Sequence, residues 1–296
     1  MASAGAAWTR AAQNPIGAGR RSQSPPGGAN RWRAKSIASI AQEVQPSLEV
    51  GGQGIKQHAG PVPPDAPPSD AELAVMELAE AVAALQVHVV VARVAEKACL
   101  RLRYLCTPLG SEEAAAGAGL IEAILEAMRA HPQVAEVQQA GCSVLGNLCE
   151  ATDALGLARS QRAAEAGALE VVAAAMRAHL EAVSLQLQGC NAMGNACNSI
   201  DAAGMARKHR AAEAGVIEEV VAALRAHPEV ADVQVVGCTA LSIVCGRNAD
   251  AASCDRRRRA TQTGGRTAAV AAMEAHLGDF PVQSCCKMLL RLLPEG

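Results

Sequence analysis

EAGALEVVAAAMRAH at residues 165–179 decides the fold of this chain, because EAGVIEEVVAALRAH returns at residues 213–227. Two looser copies are GAGLIEAILEAMRAH at 117–131 and TGGRTAAVAAMEAH at 263–276. One glycine marks each copy, at intervals of 48, 48 and 49 residues: Gly119, Gly167, Gly215 and Gly264. A fixed period of this length predicts a solenoid, in which each unit buries its apolar face only against its neighbours.

A second block of sequence recurs with the same period and carries paired cysteines. Its copies are EKACLRLRYLC at 96–106, QQAGCSVLGNLC at 138–149, LQGCNAMGNAC at 187–197, VVGCTALSIVC at 235–245 and SCCKMLLRLL at 284–293. In each unit we expect a short first helix closed by a left-handed Gly, a second helix that runs to a repeated His, and a third helix with the cysteines. The sequence therefore predicts an all-α chain of about five three-helix units, the first and last imperfect.

We expect the ordered part of the chain to begin at residue 69. SDAE at 69–72 has the form of a capping box and predicts the start of a long helix. An apolar stripe with steps of three and four follows: Val75, Leu78, Val82, Leu85 and Val89. Residues 1–68 are rich in Gly, Pro and Ser, show no sustained period, and are predicted to be a disordered arm in front of the repeat domain at 69–296.

Residues 1–42 contain six basic residues and no acidic one, so this segment carries +6 while the remainder carries −8. Such a segment resembles an organelle transit peptide, and an ordinary basic tail is the alternative. No stretch approaches the roughly 20 apolar residues that a membrane helix needs. We therefore expect a cytoplasmic protein without a membrane span, with an organelle or the nucleus as alternatives.

Eleven cysteines are present, and eight of them form four pairs in which the partners are seven residues apart. Two helical turns separate the members of a pair by roughly 10 Å, which is too far for a disulfide or a structural zinc site within the pair. These cysteines are predicted to be small core residues. Cys254, Cys285 and Cys286 fall outside the series and are candidates for exposed thiols.

Five histidines close the second helices: His88, His131, His179, His227 and His276. An imidazole at this place favours the negative helix end and is expected to bond the free carbonyls there, so we predict no metal site. The sequence has no phosphate-binding Gly loop with Lys and Ser or Thr, and no nucleophile elbow. We predict a protein without cofactor or enzymatic activity.

EAGALEVVAAAM and QQAGCSVLGNLC resemble armadillo repeats, whose second helix begins EAGAIPALVxLL and whose third helix reads QxxAxxALxNLA. The resemblance covers about residues 70–296 and includes armadillo tracts like those of leucine-rich-repeat kinases and vacuole-inheritance scaffolds. It implies a right-handed superhelical solenoid. The period of this chain exceeds the family's roughly 42 residues, and TDALGLARSQ at 152–161 is interpreted as an insertion.

In that family the third helices line a concave groove that holds an extended peptide. Carried over by position, the groove residues are Leu100, Tyr104, Ser143, Asn147, Asn191, Asn195, Thr239, Ile243, Lys287 and Arg291. Asn147 and Asn195 keep the family's asparagine, whose amide can bond a peptide backbone. Ser143, Asn191 and Thr239 stand where nuclear-import adaptors resembling this family place Trp.

A further set of basic side chains recurs with the repeat and would align as a basic ridge. Its members are Arg159, Arg162, Arg207, Lys208, Arg210, Arg256, Arg257, Arg258 and Arg259. Such a ridge could bind phosphate or an acidic partner. A series of solvated, salt-bridged loops is the alternative.

These patterns favour a protein-interaction scaffold that binds an extended or acidic segment of a protein partner. A helical-repeat RNA binder is a rival, although the acidic body and the shortage of stacking side chains make nucleic acid an unfavourable partner. A structural role in assembly is a third possibility. Leucines at the end of the chain, at positions 289, 290, 292 and 293, would then mediate self-association or continue into a longer array.

Overall fold

The computed structural model describes residues 66–106, 119–150 and 153–295, and these ranges contain fourteen helices and no strand. The helices are α1 Asp70–Val75, α2 Leu78–Val87, α3 Ala92–Leu105, α4 Leu120–Ala130, α5 Ala135–Leu148, α6 Ala154–Glu165, α7 Ala168–Ala178, α8 Val183–Ala196, α9 Ala202–Glu213, α10 Val216–Ala226, α11 Ala231–Cys245, α12 Ala251–Gln262, α13 Gly265–Ala275 and α14 Phe280–Leu292. The all-α prediction is confirmed for this part of the chain. The predicted disorder of residues 1–65 lies outside the described residues.

Three complete three-helix units follow one another, as α6–α8, α9–α11 and α12–α14. Two pairs of second and third helices precede them, α2 with α3 and α4 with α5. The second helices pack against one another in chain order, and so do the third helices α3, α5, α8, α11 and α14. Each unit thus contacts its neighbours along the chain, as in an α-solenoid.

The start of the repeat domain differs from the prediction of one long helix. Ser69 forms the predicted capping box with Glu72, but α1 ends at Val75 and α2 begins only at Leu78. The backbone amide of Glu77 donates to the Glu80 carboxylate at 3.0 Å and starts the second helix. The Met76 carbonyl, between the two helices, accepts a hydrogen bond from Arg101 Nε at 2.7 Å. These two bonds hold the break, and Val75 of the predicted stripe is exposed.

The first helix of each complete unit is longer than the short segment predicted for it. α6, α9 and α12 each have 12 residues. Asp153, Asp201 and Asp250 cap them, with carboxylates that accept from backbone amides three residues on at 2.7, 2.7 and 2.8 Å. Most of the TDALGLARSQ segment, which was interpreted as an insertion relative to the shorter family unit, is therefore helical.

The recurring glycine lies immediately before the second helix of its unit. Gly119, Gly167, Gly215 and Gly264 have φ values of 103°, 93°, 88° and 100°, which confirms the predicted left-handed conformation. At Gly215 an added Cβ would also lie 3.1 Å from Arg177 Nη2 in the preceding unit. Glycine at this position therefore serves both the turn and the contact between units.

Gly215→Ala is expected to lower the free energy of unfolding by about 1 to 2 kcal/mol, because an L-residue is strained at this φ. Urea denaturation followed by circular dichroism measures the change. Gly278→Ala is the matched control, since an added Cβ there meets nothing within 4 Å. Equal loss of stability in both variants would contradict the argument from backbone conformation.

The apolar end of the chain is mostly internal. Leu289 and Leu293 are buried, and Leu290 and Leu292 are partly buried. Arg266 Nη1 donates to the carbonyls of Leu290 and Leu293 at 3.0 and 2.8 Å, so it caps the end of α14. Within the described ranges, no helix combines the length and the apolar character needed to cross a membrane.

Candidate functional site

The residues predicted to line a groove lie on successive third helices but differ in exposure. Tyr104 is 70% exposed, and Lys287 and Arg291 are also exposed. The partly exposed members are Leu100, Asn147, Asn191, Thr239 and Ile243. Ser143 and Asn195 are buried. We call these ten residues the third-helix row. Its accessible part begins at Tyr104 on α3 and ends at Lys287 and Arg291 on α14.

The two asparagines join third helices to each other. Asn195 Nδ2 donates to the Gly146 carbonyl at 2.9 Å, and Asn147 Nδ2 donates to the Arg103 carbonyl at 3.2 Å. Asn195 is only 3% exposed. These amides therefore hold the backbone of the preceding unit, where sequence analysis expected them to bind the backbone of a partner.

A cleft of about 340 Å³ opens beside the first exposed residue of the row. Its lining residues are Asp70, Ala74, Lys97, Leu100, Arg101 and Tyr104. The Arg101 guanidinium lies 5.5 Å from the centre of the Tyr104 ring, close enough for a cation–π interaction. This end of the row thus combines an aromatic face with apolar and charged groups.

The predicted basic ridge is divided among three environments. In the first, arginines of one unit pair with glutamates of the preceding unit, at 2.8, 2.6 and 2.5 Å: Arg162 with Glu122, Arg210 with Glu170, and Arg259 with Glu218. These glutamates are themselves 48 residues apart. The side chains are partly exposed, so each pair contributes little stability, but the three pairs fix one unit against the next.

In the second environment, basic side chains bond the carbonyls at the end of a third helix. Arg159 Nε donates to the Leu148 carbonyl and Arg207 Nε to the Ala196 carbonyl, each at 2.8 Å. Arg257 Nη1 bonds the Gly246 carbonyl at 2.9 Å. Positive charge is favourable there because the helix end carries unpaired carbonyls.

Burial defines the third environment. Arg207, Lys208 and Arg256 are 3%, 5% and 3% exposed, so the prediction of a solvent-facing ridge is wrong for them. Their stems pack inside the array, and some of their nitrogen atoms bond backbone and side-chain groups. Arg258 is the exposed member that pairs with Asp255 on its own helix, at 2.9 Å.

The recurring histidines are the C-caps of the second helices, as predicted, but four of their rings bond elsewhere than expected. Each Nε2 lies 2.6 to 2.8 Å from a carbonyl in the turn of the preceding unit: His131 at Val89, His179 at Pro132, His227 at Leu180, and His276 at Pro228. Since a carbonyl only accepts, Nε2 carries the hydrogen. The histidines therefore join neighbouring turns.

Glutamines on the third helices bond the free carbonyls at the ends of the second helices, which the histidines were predicted to bond. Gln138, Gln186, Gln234 and Gln283 each donate from Nε2 to two carbonyls at the end of the second helix, including that of the recurring His, at 2.7 to 3.1 Å. Sequence analysis missed these residues. Their spacing of 48, 48 and 49 residues was the signal that could have identified them.

The paired cysteines are all buried, which confirms their prediction as core residues. Burial raises the pKa of the Cys142 and Cys190 thiols to about 12, so they stay protonated at neutral pH. Cys254 is exposed as predicted, but Cys286 is buried and continues the column of Cys142, Cys190 and Cys238. The sulfur atoms of Cys238 and Cys286 are 3.5 Å apart.

Among residues 66–106, 119–150 and 153–295, no three His, Cys, Asp or Glu side chains are placed to hold a metal ion. Comparison of the chain with protein-family models, with curated proteins and with solved structures gave no match. The geometry of the third-helix row is therefore the basis for a functional proposal.

Proposed function

We propose that this protein is an armadillo-type scaffold or adaptor that binds an extended segment of a protein partner along its third helices, without catalysing a reaction. The observation that supports this proposal is the continuous packing of α3, α5, α8, α11 and α14 in chain order. A row of partly exposed side chains repeats along these helices at the spacing of the units. An extended peptide can follow such a row from unit to unit.

The side chains at the two ends of the row indicate which kinds of residue the partner segment carries at each of its ends. Tyr104 and Leu100 border the cleft at one end, while Lys287 and Arg291 stand exposed at the other. An apolar or aromatic side chain of the partner fits the cleft, and acidic residues fit the cations. We therefore propose a partner segment with an apolar anchor at one end and carboxylates at the other.

The binding experiment cannot rely on replacing Asn147 and Asn195. Because their amides bond the backbone within the chain, their replacement would loosen the helix packing and binding together. Tyr104→Ala and the double change Lys287→Glu with Arg291→Glu alter only exposed side chains. Arg258→Glu is the matched control, since Arg258 is exposed on a first helix outside the row.

The full chain is to be screened against a displayed library of unstructured linear peptides, and selected peptides are to be titrated by calorimetry. We expect enriched acidic peptides whose affinity falls about tenfold with Tyr104→Ala, as for an interface anchor that contributes roughly 1 to 2 kcal/mol. Charge reversal on α14 should weaken binding further at low salt. Failure to enrich any peptide, or equal affinity for wild type and both row variants, would contradict the proposal.

A further inference from the structure

Three buried cations lie on α9 and α12, the first helices of two neighbouring units. Arg207 and Lys208 belong to α9, and Arg256 belongs to α12. Burial lowers the pKa of the Lys208 ammonium, and the positive charges of Arg256 and Arg207 lower it further. The three charges are therefore within electrostatic reach of one another.

The three side chains are held in place by neutral groups. Arg207 donates to the Ala196 carbonyl and to Gln161 Oε1, and Lys208 Nζ donates to the Ser199 carbonyl at 2.8 Å. Arg256 Nη2 donates to Ser253 Oγ at 2.8 Å. None of the three cations forms an ion pair with a carboxylate in the described part of the chain.

Several nitrogen atoms of this cluster have no hydrogen-bond partner among the described residues. They are Arg207 Nη2, Arg256 Nε and Arg256 Nη1, and all three are buried. A buried guanidinium with unmade hydrogen bonds and no directly bonded carboxylate is unfavourable. The cluster therefore has buried donors that a hydrogen-bond acceptor can bind.

Comparison between units shows why Arg256 lacks the partners that Arg207 has. Gln161, which accepts from Arg207, corresponds to His209 in the next unit, and His209 faces Glu213 at 3.4 Å instead. The helix that supplies the second acceptor also differs, because α11 runs to Cys245 while α8 ends one position earlier in the repeat, at Ala196. One sequence change and one difference in helix length thus distinguish the surroundings of Arg256 from those of Arg207.

We propose that Arg256, Arg207 and Lys208 form a binding site for a small inorganic anion of the size of chloride. An anion supplies an acceptor for the unpartnered donors and adds negative charge beside three cations. Exposure of 5% or less at all three residues favours a halide over a larger oxyanion. The carboxylates of Asp201 and Asp250 act electrostatically on these cations but form no ion pair with them, and each caps its helix by accepting from the Gly204 or Ser253 amide.

Thermal unfolding of the full chain in sodium chloride and in sodium glutamate at equal ionic strength tests the site. With chloride about tenfold above its dissociation constant, we expect the Tm of the wild type to be about 3 to 6 °C higher than in glutamate. Arg256→Met should abolish this difference. It should also be at least as stable as the wild type in glutamate, because the unpaired charge is gone.

Arg258→Met is the matched control and should keep the full response to chloride, since Arg258 is exposed and paired with Asp255. If Arg256→Met does not fold, Lys208→Met serves as the second variant and should reduce the chloride response. A bromide soak of a crystal should give an anomalous peak within hydrogen-bond distance of Arg256 Nη1. A wild-type Tm that is equal in the two salts, a chloride response that survives Arg256→Met, or bromide found only elsewhere would overturn the proposal.

Discussion

Replacement of Gln186 by leucine is expected to lower the free energy of unfolding by about 2 to 4 kcal/mol. Gln186 is fully buried on α8, and its Nε2 donates to the Met176 carbonyl at 2.8 Å and to the His179 carbonyl at 2.9 Å. Leucine has a similar volume but no donor, so two buried carbonyls at the end of α7 would lose their partner. Urea denaturation followed by circular dichroism measures the loss.

Gln186→Glu distinguishes the lost donor from disturbed packing, because glutamate has the shape of glutamine. A buried carboxylate facing two carbonyls is unfavourable, so its pKa in the folded state is expected to rise above the unfolded value. The stability of Gln186→Glu relative to wild type should therefore increase as pH falls and the carboxyl group takes up a proton. Gln188→Leu, on the same helix and only partly buried, is the control. A loss below 1 kcal/mol for Gln186→Leu would contradict the role assigned to the amide.

The second large effect is expected at Met176, where truncation to alanine should cost about 2 to 5 kcal/mol. Met176 is fully buried on α7 and lies against Gly189 of α8, so close that an added Cβ on Gly189 would be 2.6 Å from Met176 Cγ. The glycine thus leaves room for the long methionine side chain. The same fit recurs between Met128 and Gly141, and between Leu224 and Gly237.

A double-mutant cycle tests this fit. Gly189→Ala alone should destabilise by about 1 to 2 kcal/mol, since crowding outweighs the better helix propensity of alanine. In the Met176→Ala background the added methyl group enters the space left by methionine. The double mutant should therefore lose less stability than the sum of the two single losses, by about 1 kcal/mol or more. Denaturant midpoints of the four proteins measure the coupling. Additive losses would show that Gly189 and Met176 do not share one space.

The helical architecture follows from features that repeat in the sequence. The spacing of Gly119, Gly167, Gly215 and Gly264 predicted the left-handed turns, because glycine is the residue that adopts this conformation without strain. The seven-residue spacing of cysteines predicted one buried face of the third helix. The repeat spacing did not predict the break after Val75, because that break depends on a hydrogen bond from Arg101, on another helix, to the Met76 carbonyl.

Side-chain direction was the main feature that sequence analysis could not determine. Arg207 and Arg210 lie in one run of basic residues, yet Arg207 is buried against a helix end while Arg210 pairs with a glutamate of the preceding unit. Asn195 was predicted to line a groove, but its side-chain amide donates to the Gly146 carbonyl. In each case the partner is a backbone or side-chain atom of the preceding unit, which a single sequence does not place.

The hydrogen bonds that the recurring histidines and asparagines form between units run in one direction along the chain. His227 and Asn195 each donate to a carbonyl in the unit that precedes their own. A duplicated segment of one repeat length inserted between two units would therefore bring donors for its predecessor and acceptors for its successor. For these bonds the two ends of an array are chemically unequal, since the first unit has no predecessor to accept from its donors and the last has no successor to donate to its carbonyls.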